Sequence, residues 1–272
     1  MDNKNSILLI NPTFEPSTST NCSLLVKIGL KSFSYAIIDR ETNKVNAVYD
    51  EQECGDGAKK LADRLKTDPY LTLAYQDVKI AINTPNSITI PIELYSEENI
   101  GANAQYFPEH HSNNIYVDAQ QHFNFRTIFS LPKNTDDALN FTAAKRFHEN
   151  AGLLNQAEQL NSASLILDFT VGNVNLIYLN DNRVIFQQSY EIADVEEFNY
   201  YLLLMINQLK VERSTMVYIC GIIHENDHQY NCLLKYFNAI EFLTISNDLD
   251  QDILDDMPAH YYSSLLALSK CV

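Results

Sequence analysis

Two distant stretches of the chain carry the same pattern of apolar runs and polar turns. They are LLVKIGLKSFSYAIIDRETNKVNAVYD at 24–50 and LILDFTVGNVNLIYLNDNRVIFQQSYE at 165–191. Aligned from Leu24 and Leu165, each reads as strand, turn, strand, turn, strand. The first turns centre on Lys31-Ser32 and Gly172-Asn173. The second are Arg40–Asn43 and Asn180–Asn182, one residue different in length. Runs of Val, Ile, Leu, Tyr and Phe bounded by Gly, Asn, Asp and Ser are the signature of strands joined by hairpins.

Alternating helices and strands follow each triplet. After the second, Val195, Phe198, Leu202, Met205, Ile206 and Leu209 recur at helical spacing and predict one apolar helix face. The continuous apolar run at 215–223 predicts a buried strand. Tyr230, Leu233, Leu234 and Phe237 predict a further helix, 240–245 a strand, and Pro258 the start of a final helix through Ala267. After the first triplet the pattern predicts a helix near 57–67, a strand at 77–82 and a β-segment at 87–94. A helix near 96–105, a strand pair at 114–131 and a helix near 134–148 complete that half.

Three strands followed by alternating helices and strands is the order of a ribonuclease-H-like unit. Two such units predict an α/β fold of duplicated, actin-like ATPase type, in which each lobe holds a mixed five-stranded sheet with flanking helices. The expected boundaries are 1–155 for the first lobe, with an inserted β-segment at about 86–131, and 156–272 for the second.

Composition narrows the function classes. The 272 residues are 46% hydrophobic, enough for a substantial core, and 35 acidic against 19 basic side chains give a net charge of −16. Such a surface repels phosphate backbones and anionic lipid, so nucleic-acid binding is not expected. The start of the chain does not read as a signal peptide, SILLI at 6–10 is too short to cross a bilayer, and no later run reaches the ~20 apolar residues required. Cys22, Cys54, Cys220, Cys232 and Cys271 are scattered, with no C-x-x-C pair, which fits a reducing cytoplasm.

Several segments sharpen the fold expectation. CSLLVKIGLKSFSYAIID at 22–39, VKIAINTPNSITIPIELY at 78–95, TIFSLPK at 127–133 and PAHYYSSLLAL at 258–268 resemble a bacterial family of uncharacterised proteins with an actin-like ATPase fold. More distantly the chain is similar to the actin homologues of cell division and type IV pilus assembly. The resemblance implies a fold and no established activity.

In the fold so implied, two hairpin turns grip phosphates through backbone N–H groups, and a carboxylate in each positions metal and water. The first loop, usually D-x-G-x-x, corresponds here to Lys27-Ile28-Gly29-Leu30-Lys31-Ser32. Lys27 replaces the acid and cannot hold Mg²⁺, while Gly29 is kept and Lys31 remains a phosphate contact. In the second loop Asp168 stands at the acid's place, followed by Phe169, Thr170 in place of a glycine, Val171, Gly172 and Asn173. Gly29 and Gly172 have an ordinary reading as hairpin-turn residues, and Asp168 as a strand-end residue bonded to backbone. The adenine-facing pair reads Gly221-Ile222, with a branched side chain where a second glycine belongs. The candidate nucleotide residues are therefore Gly29, Lys31, Ser32, Asp168, Thr170, Gly172, Asn173 and Gly221.

HENDH at 224–228 satisfies the H-E-x-x-H zinc pattern. Its context is a strand-to-helix turn, with Asp227 placed to cap the next helix by accepting from first-turn N–H groups. His224 would then lie outside the helix, and no zinc is expected. His110-His111 reads as an exposed loop pair. The acidic run at 247–257 lacks calcium-loop spacing.

The expectation is thus a non-catalytic, cytoplasmic scaffold or regulator acting through an unknown protein partner, with homo-oligomerisation left open and no cofactor or metal expected. The alternative is a divergent ATPase or small-molecule kinase using ATP and Mg²⁺, in which Asp168 would be catalytic. Asp118 would be a substrate carboxylate candidate only because it ends a predicted strand. A membrane-docking tail at SSLLALSKCV is the weakest reading, since Leu265, Leu266 and Leu268 suit a packed final helix and Lys270 alone is too little charge. The stretch 199–209 suits either helix packing or an interface.

Overall fold

A computed structural model describes residues 5–108, 113–141, 143–160, 162–245 and 248–272. The pair His110-His111 lies outside the described residues. The first part runs β1 (Ser6–Ile10), β2 (Cys22–Ile28), β3 (Phe33–Asp39), β4 (Val45–Glu51), α1 (Gly57–Arg64) and β5 (Asp77–Ile82). β6 (Ser87–Pro91), α2 (Ile100–Ala104), β7 (Asn113–Gln120), β8 (Phe125–Pro132), α3 (Lys133–Ala138), β9 (Lys145–His148) and α4 (Ala151–Ala157) follow. The rest runs β10 (Ser164–Thr170), β11 (Asn173–Asn180), β12 (Arg183–Glu191), α5 (Val195–Leu209), β13 (Met216–Gly221), α6 (His228–Tyr236), β14 (Ile240–Phe242) and α7 (Ser263–Leu266).

The duplication extends to the hydrogen-bond ladders. One sheet has the order β1-β4-β3-β2-β5-β9 and the other β12-β11-β10-β13-β14, so both share one five-strand order. Leu24 faces Ile37 as Leu165 faces Tyr178. The register shift between Ile37 and Ile38 recurs between Tyr178 and Leu179. A bulge adds local twist, and the irregularity falls at equivalent positions of the two meanders. The first sheet is six-stranded rather than five-stranded, because Ser6–Ile10 pairs antiparallel with β4. β6, β8 and β7 form a separate three-stranded sheet.

Alternate side chains of the central strands are buried on both faces, as period-2 geometry requires of a sheet covered twice. Leu24, Val26 and Ile28 pack with Leu61 of α1, while Leu25, Ala36 and Ile38 pack with Leu265, Leu266 and Leu268 at the chain's end. In the other sheet Leu165, Leu167 and Phe169 pack with Phe198, Leu202 and Met205 of α5, and Ile166 and Ile177 pack with Leu153 and Leu154 of α4. No described helix is long and apolar enough to cross a membrane.

Five expectations of element extent are corrected. The helix near 134–148 is only α3, and Lys145–His148 is instead β9, pairing in parallel with Lys79–Ile82. Four residues are too few for alternation to reveal a strand. Pro258 does not open a helix: its carbonyl accepts from Tyr261 N–H in a turn, and His260 C=O accepts from Gly221 N–H at 3.0 Å, so α7 begins at Ser263. The run at 215–223 stops at Gly221, whose φ of +79° leaves the extended region. The segments predicted as strands at 87–94 and 240–245 end at Pro91 and Phe242.

Candidate functional site

The ends of β2 and β10 meet between the two sheets. The first loop turns tightly, with Gly29 N–H donating to Ser32 C=O at 2.9 Å. The start of α1 lies across it: Gly57 N–H donates to Leu30 C=O, and a Cβ on Gly57 would fall 2.3 Å from Ser32 O. In the second loop Gly172 has φ +74°, and its carbonyl accepts from Ile192 N–H. That left-handed turn favours glycine at 172, where a Cβ would meet nothing closer than 3.9 Å.

Lys27 and Asp168 bond to each other. The ammonium ion-pairs with Asp168 Oδ2 and donates to Ser264 Oγ of α7 at 2.7 Å, while the Cys220 thiol contacts Asp168 Oδ1 at 3.6 Å. Both partners are buried, Asp168 to 1% exposure. Burial alone would lower the Lys27 pKa, but the charge of Asp168 and its hydrogen bond outweigh burial and hold it above the usual lysine value. Asp168 stands near the end of β10 as expected, but the partners of its carboxylate are side chains of two other elements rather than backbone.

Two further carboxyls lie close by. Burial raises Asp50 of β4 to about 6, against the opposing effects of its bond from Gln52 and of Lys27. Glu149, just after β9, is pushed up by burial to about 7, opposed by the bond from Asn83 and by Lys27. Burial alone lowers the adjacent His148 to about 4, so it is neutral at physiological pH.

A cavity of about 360 Å³ opens beside the ion pair and is lined by Gly29, Ser32, Asp168, Thr170 and Gly221 among others. Those five sequence candidates thus converge. Lys31 and Gly172 line a neighbouring opening, and Asn173 lines a third cavity. Lys31 pairs with Glu191 at 3.2 Å, both exposed. Ile222 also lines the first cavity. Gly221 admits no side chain, since a Cβ would fall 2.0 Å from Phe169 O. Asp118 sits inside β7, buried, lines a separate small cavity with Cys271, and is raised by burial to about 6.

The HENDH segment is a turn. His224 precedes α6, and its N–H donates to Asp227 Oδ2 at 2.8 Å. The Asp227 carboxylate therefore faces backward and does not accept from the first turn of α6, which corrects the capping expectation. The His224 ring bonds to the Tyr261 hydroxyl. Among the described residues, no cluster of three His, Cys, Asp or Glu is arranged for a metal.

Sequence reasoning passed over Ser264, Asp50 and Glu149. Ser264 lies in an apolar C-terminal segment, and Glu149 fell just past the mistaken helix at 134–148. Asp50 carried a signal, as the last residue of the aligned triplet.

The chain matches over residues 11–240 a family described as protein of unknown function (DUF3822), and it belongs to that family. A protein of Bacteroides thetaiotaomicron with an actin-like ATPase fold and unknown function aligns with a TM-score of 0.78 at 17% identity, covering 96% of this chain and 100% of that one. A structure of the PilM-PilN type IV pilus biogenesis complex aligns with a TM-score of 0.61 at 11% identity, covering 91% and 97%. The ethanolamine utilization protein EutJ from Carboxydothermus hydrogenoformans aligns with a TM-score of 0.51 at 11% identity, covering 97% and 93%. No curated protein matches. The chain has an actin-like ATPase fold.

Proposed function

We propose that this chain is a non-catalytic actin-like protein, a scaffold or regulator that acts through protein contacts in the cytoplasm. The observation that carries the proposal is the ion pair between Lys27 and Asp168. In an ATPase of this fold the two loop carboxylates would position a cation and water; here an ammonium takes the place of one and neutralises the other. Mg²⁺ would have to displace Lys27 from Asp168, leaving a buried ammonium whose other side-chain partner is Ser264. Stranding one member of a buried pair costs about 3–5 kcal/mol, which opposes metal entry. Asp50, on the wall of the same cavity, presents a carboxyl where a polyphosphate would need a donor or a cation.

Gly29, Ser32, Asp168, Thr170 and Gly221 are accordingly proposed as a cleft kept for architecture, with Lys31, Gly172 and Asn173 on the openings beside it. Of the fold relatives, PilM is seen in a complex with PilN, which supports a protein partner for this chain as well. Five free cysteines, four of them buried, suit a reducing compartment. Isothermal titration with ATP or ADP and Mg²⁺ is expected to give no saturable heat; micromolar binding with turnover would overturn the proposal.

The second reading, a divergent nucleotide-binding ATPase or small-molecule kinase, draws on the room beside Gly29, Ser32 and Gly221. On that reading Asp168→Ala abolishes nucleotide binding, and unchanged affinity rejects the site.

A further inference from the structure

The cavity that Asn173 lines, about 740 Å³ and larger than the cleft, lies between the end of β9, β6 and the outer strand β12. Its chemistry differs from that of the cleft beside the ion pair. Among the described residues no lysine or arginine lines it, whereas Glu149, Glu191 and Glu197 do; Glu191 pairs with Lys31 from the neighbouring opening and Glu197 Oε2 accepts from Ala193 N–H, which leaves Glu149 without a salt-bridge partner. The chain's net charge of −16 reinforces that sign.

The hydrogen-bond inventory is lopsided. Each carboxamide nitrogen at the centre already donates within the protein: Asn83 Nδ2 to Glu149 Oε2 at 2.7 Å, Asn150 Nδ2 to Gln187 Oε1 at 3.3 Å, and Gln187 Nε2 to Thr89 Oγ1 at 2.6 Å. Acceptors remain over. Asn150, a wall residue only 2% exposed, has no partner for its Oδ1. A buried acceptor without a partner is destabilising, and a ligand able to donate would remove that penalty. Glu149 is held by burial at about 7, the state of a carboxyl that lacks a sufficient cationic partner, although Lys27 acts on it from the neighbouring cleft. On the same wall Tyr190 stacks on Tyr201 with centroids 4.3 Å apart, and tyrosine rings attract organic cations.

Excess acceptors, negative charge and aromatic rings together call for a donor-rich cation. We propose that this cavity binds an aliphatic ammonium or guanidinium group, carried by a free diamine or by a lysine or arginine side chain of a partner. Glu149 takes the charge, Asn150 accepts a hydrogen bond, and the tyrosine pair covers the alkyl chain. Lys27 acts on Glu149 only from a distance, and whether the cleft binds nucleotide does not enter this proposal, so it stands or falls independently of the scaffold reading.

The test is isothermal titration of the full chain at pH 7.5 and constant ionic strength. The probes are putrescine, Nα-acetyl-L-lysine N-methylamide, and butane-1,4-diol as the uncharged analogue. Saturable binding of an amine without binding of the diol is expected. Preference for putrescine assigns a free amine, and preference for the lysine derivative a protein side chain. Glu149→Gln is expected to weaken binding by about tenfold or more, from loss of a charged hydrogen bond. Thr89→Lys, at an exposed rim position, is expected to block the cavity with its own ammonium and serves if the Glu149 variant does not fold. Equal binding of the diol, no binding of either amine, or amine affinity unchanged in Thr89→Lys would each overturn the proposal.

Discussion

Lys27 and Asp168 stand at the same position in two copies of one strand, 141 residues apart, and their side chains are ion-paired at the heart of the molecule. Leu24 and Leu165 are related by the same offset, and each begins the run that delivers its charge to the strand end. The matched strands bring equivalent positions into contact, so two acids there would repel unless a cation intervened. Replacing one acid by lysine makes the repulsion an attraction and ties the two sheets together.

The pair's contribution can be separated from its burial. Lys27→Met leaves Asp168 buried without its counter-ion and should lower unfolding free energy by about 3–5 kcal/mol, whereas Lys27→Met with Asp168→Leu should recover most of that, since apolar replacement of a whole buried pair is often neutral. Urea unfolding of the three proteins checks this. A single variant as stable as wild type would show that the pair contributes little.

Much of this was legible from the chain because repetition is visible without coordinates. The triplets at 24–50 and 165–191 gave both meanders, and the lysine at 27 was already anomalous for a phosphate loop. What was hidden depends on long-range pairing. β9 has only four residues and is recognisable by its partner β5, not by its pattern. Ser264 reaches Lys27 across 237 residues, through a C-terminal segment whose sequence reads simply as apolar packing. Asn83 and Glu149 acquire meaning only when two parallel strands end side by side.

Gly221 offers a backbone test. Its φ is +79°, and a Cβ added there would stand 2.0 Å from Phe169 O, which leaves no room for a side chain. Gly221→Ala should therefore destabilise by on the order of 3 kcal/mol, combining left-handed strain with a clash against rigid backbone. Thermal or urea unfolding measures it, and a loss below 1 kcal/mol, roughly the scale of ordinary surface substitutions, would mean that the strand end relaxes.

Lys79 fastens the end of the chain. Its Nζ donates to Ser269 C=O at 2.8 Å and to Cys271 C=O at 2.5 Å, with Asp77 at 3.6 Å, and burial lowers its pKa. Lys79→Met should loosen the last residues and expose Cys271, whose thiol burial pushes up to about 12. Since a hydrogen bond from a charged donor is worth about 1.5–3 kcal/mol, labelling of Cys271 by a disulfide reagent should accelerate about tenfold or more. Cys220, on the other sheet, should keep its wild-type rate. Equal acceleration at both would indicate global rather than local opening.

Glu149 gives a pH dependence with a definite sign. Its carboxyl is raised from 4.5 to about 7 by burial, so between those values the folded chain binds more protons than the unfolded one. Stability attributable to this group therefore falls as pH rises from 4.5 through 7 and stays reduced above. Glutamine cannot ionise, so the stability of Glu149→Gln relative to wild type should climb across that window by on the order of 3 kcal/mol. His148, lowered to about 4, gives wild type an opposite slope on the acid side, but it is present in both proteins and cancels in the difference. Urea unfolding of both proteins at pH 5, 6, 7 and 8 measures that difference. A difference constant with pH would place the Glu149 titration near its unfolded value and remove the reason to regard this buried carboxyl as lacking a sufficient cationic partner.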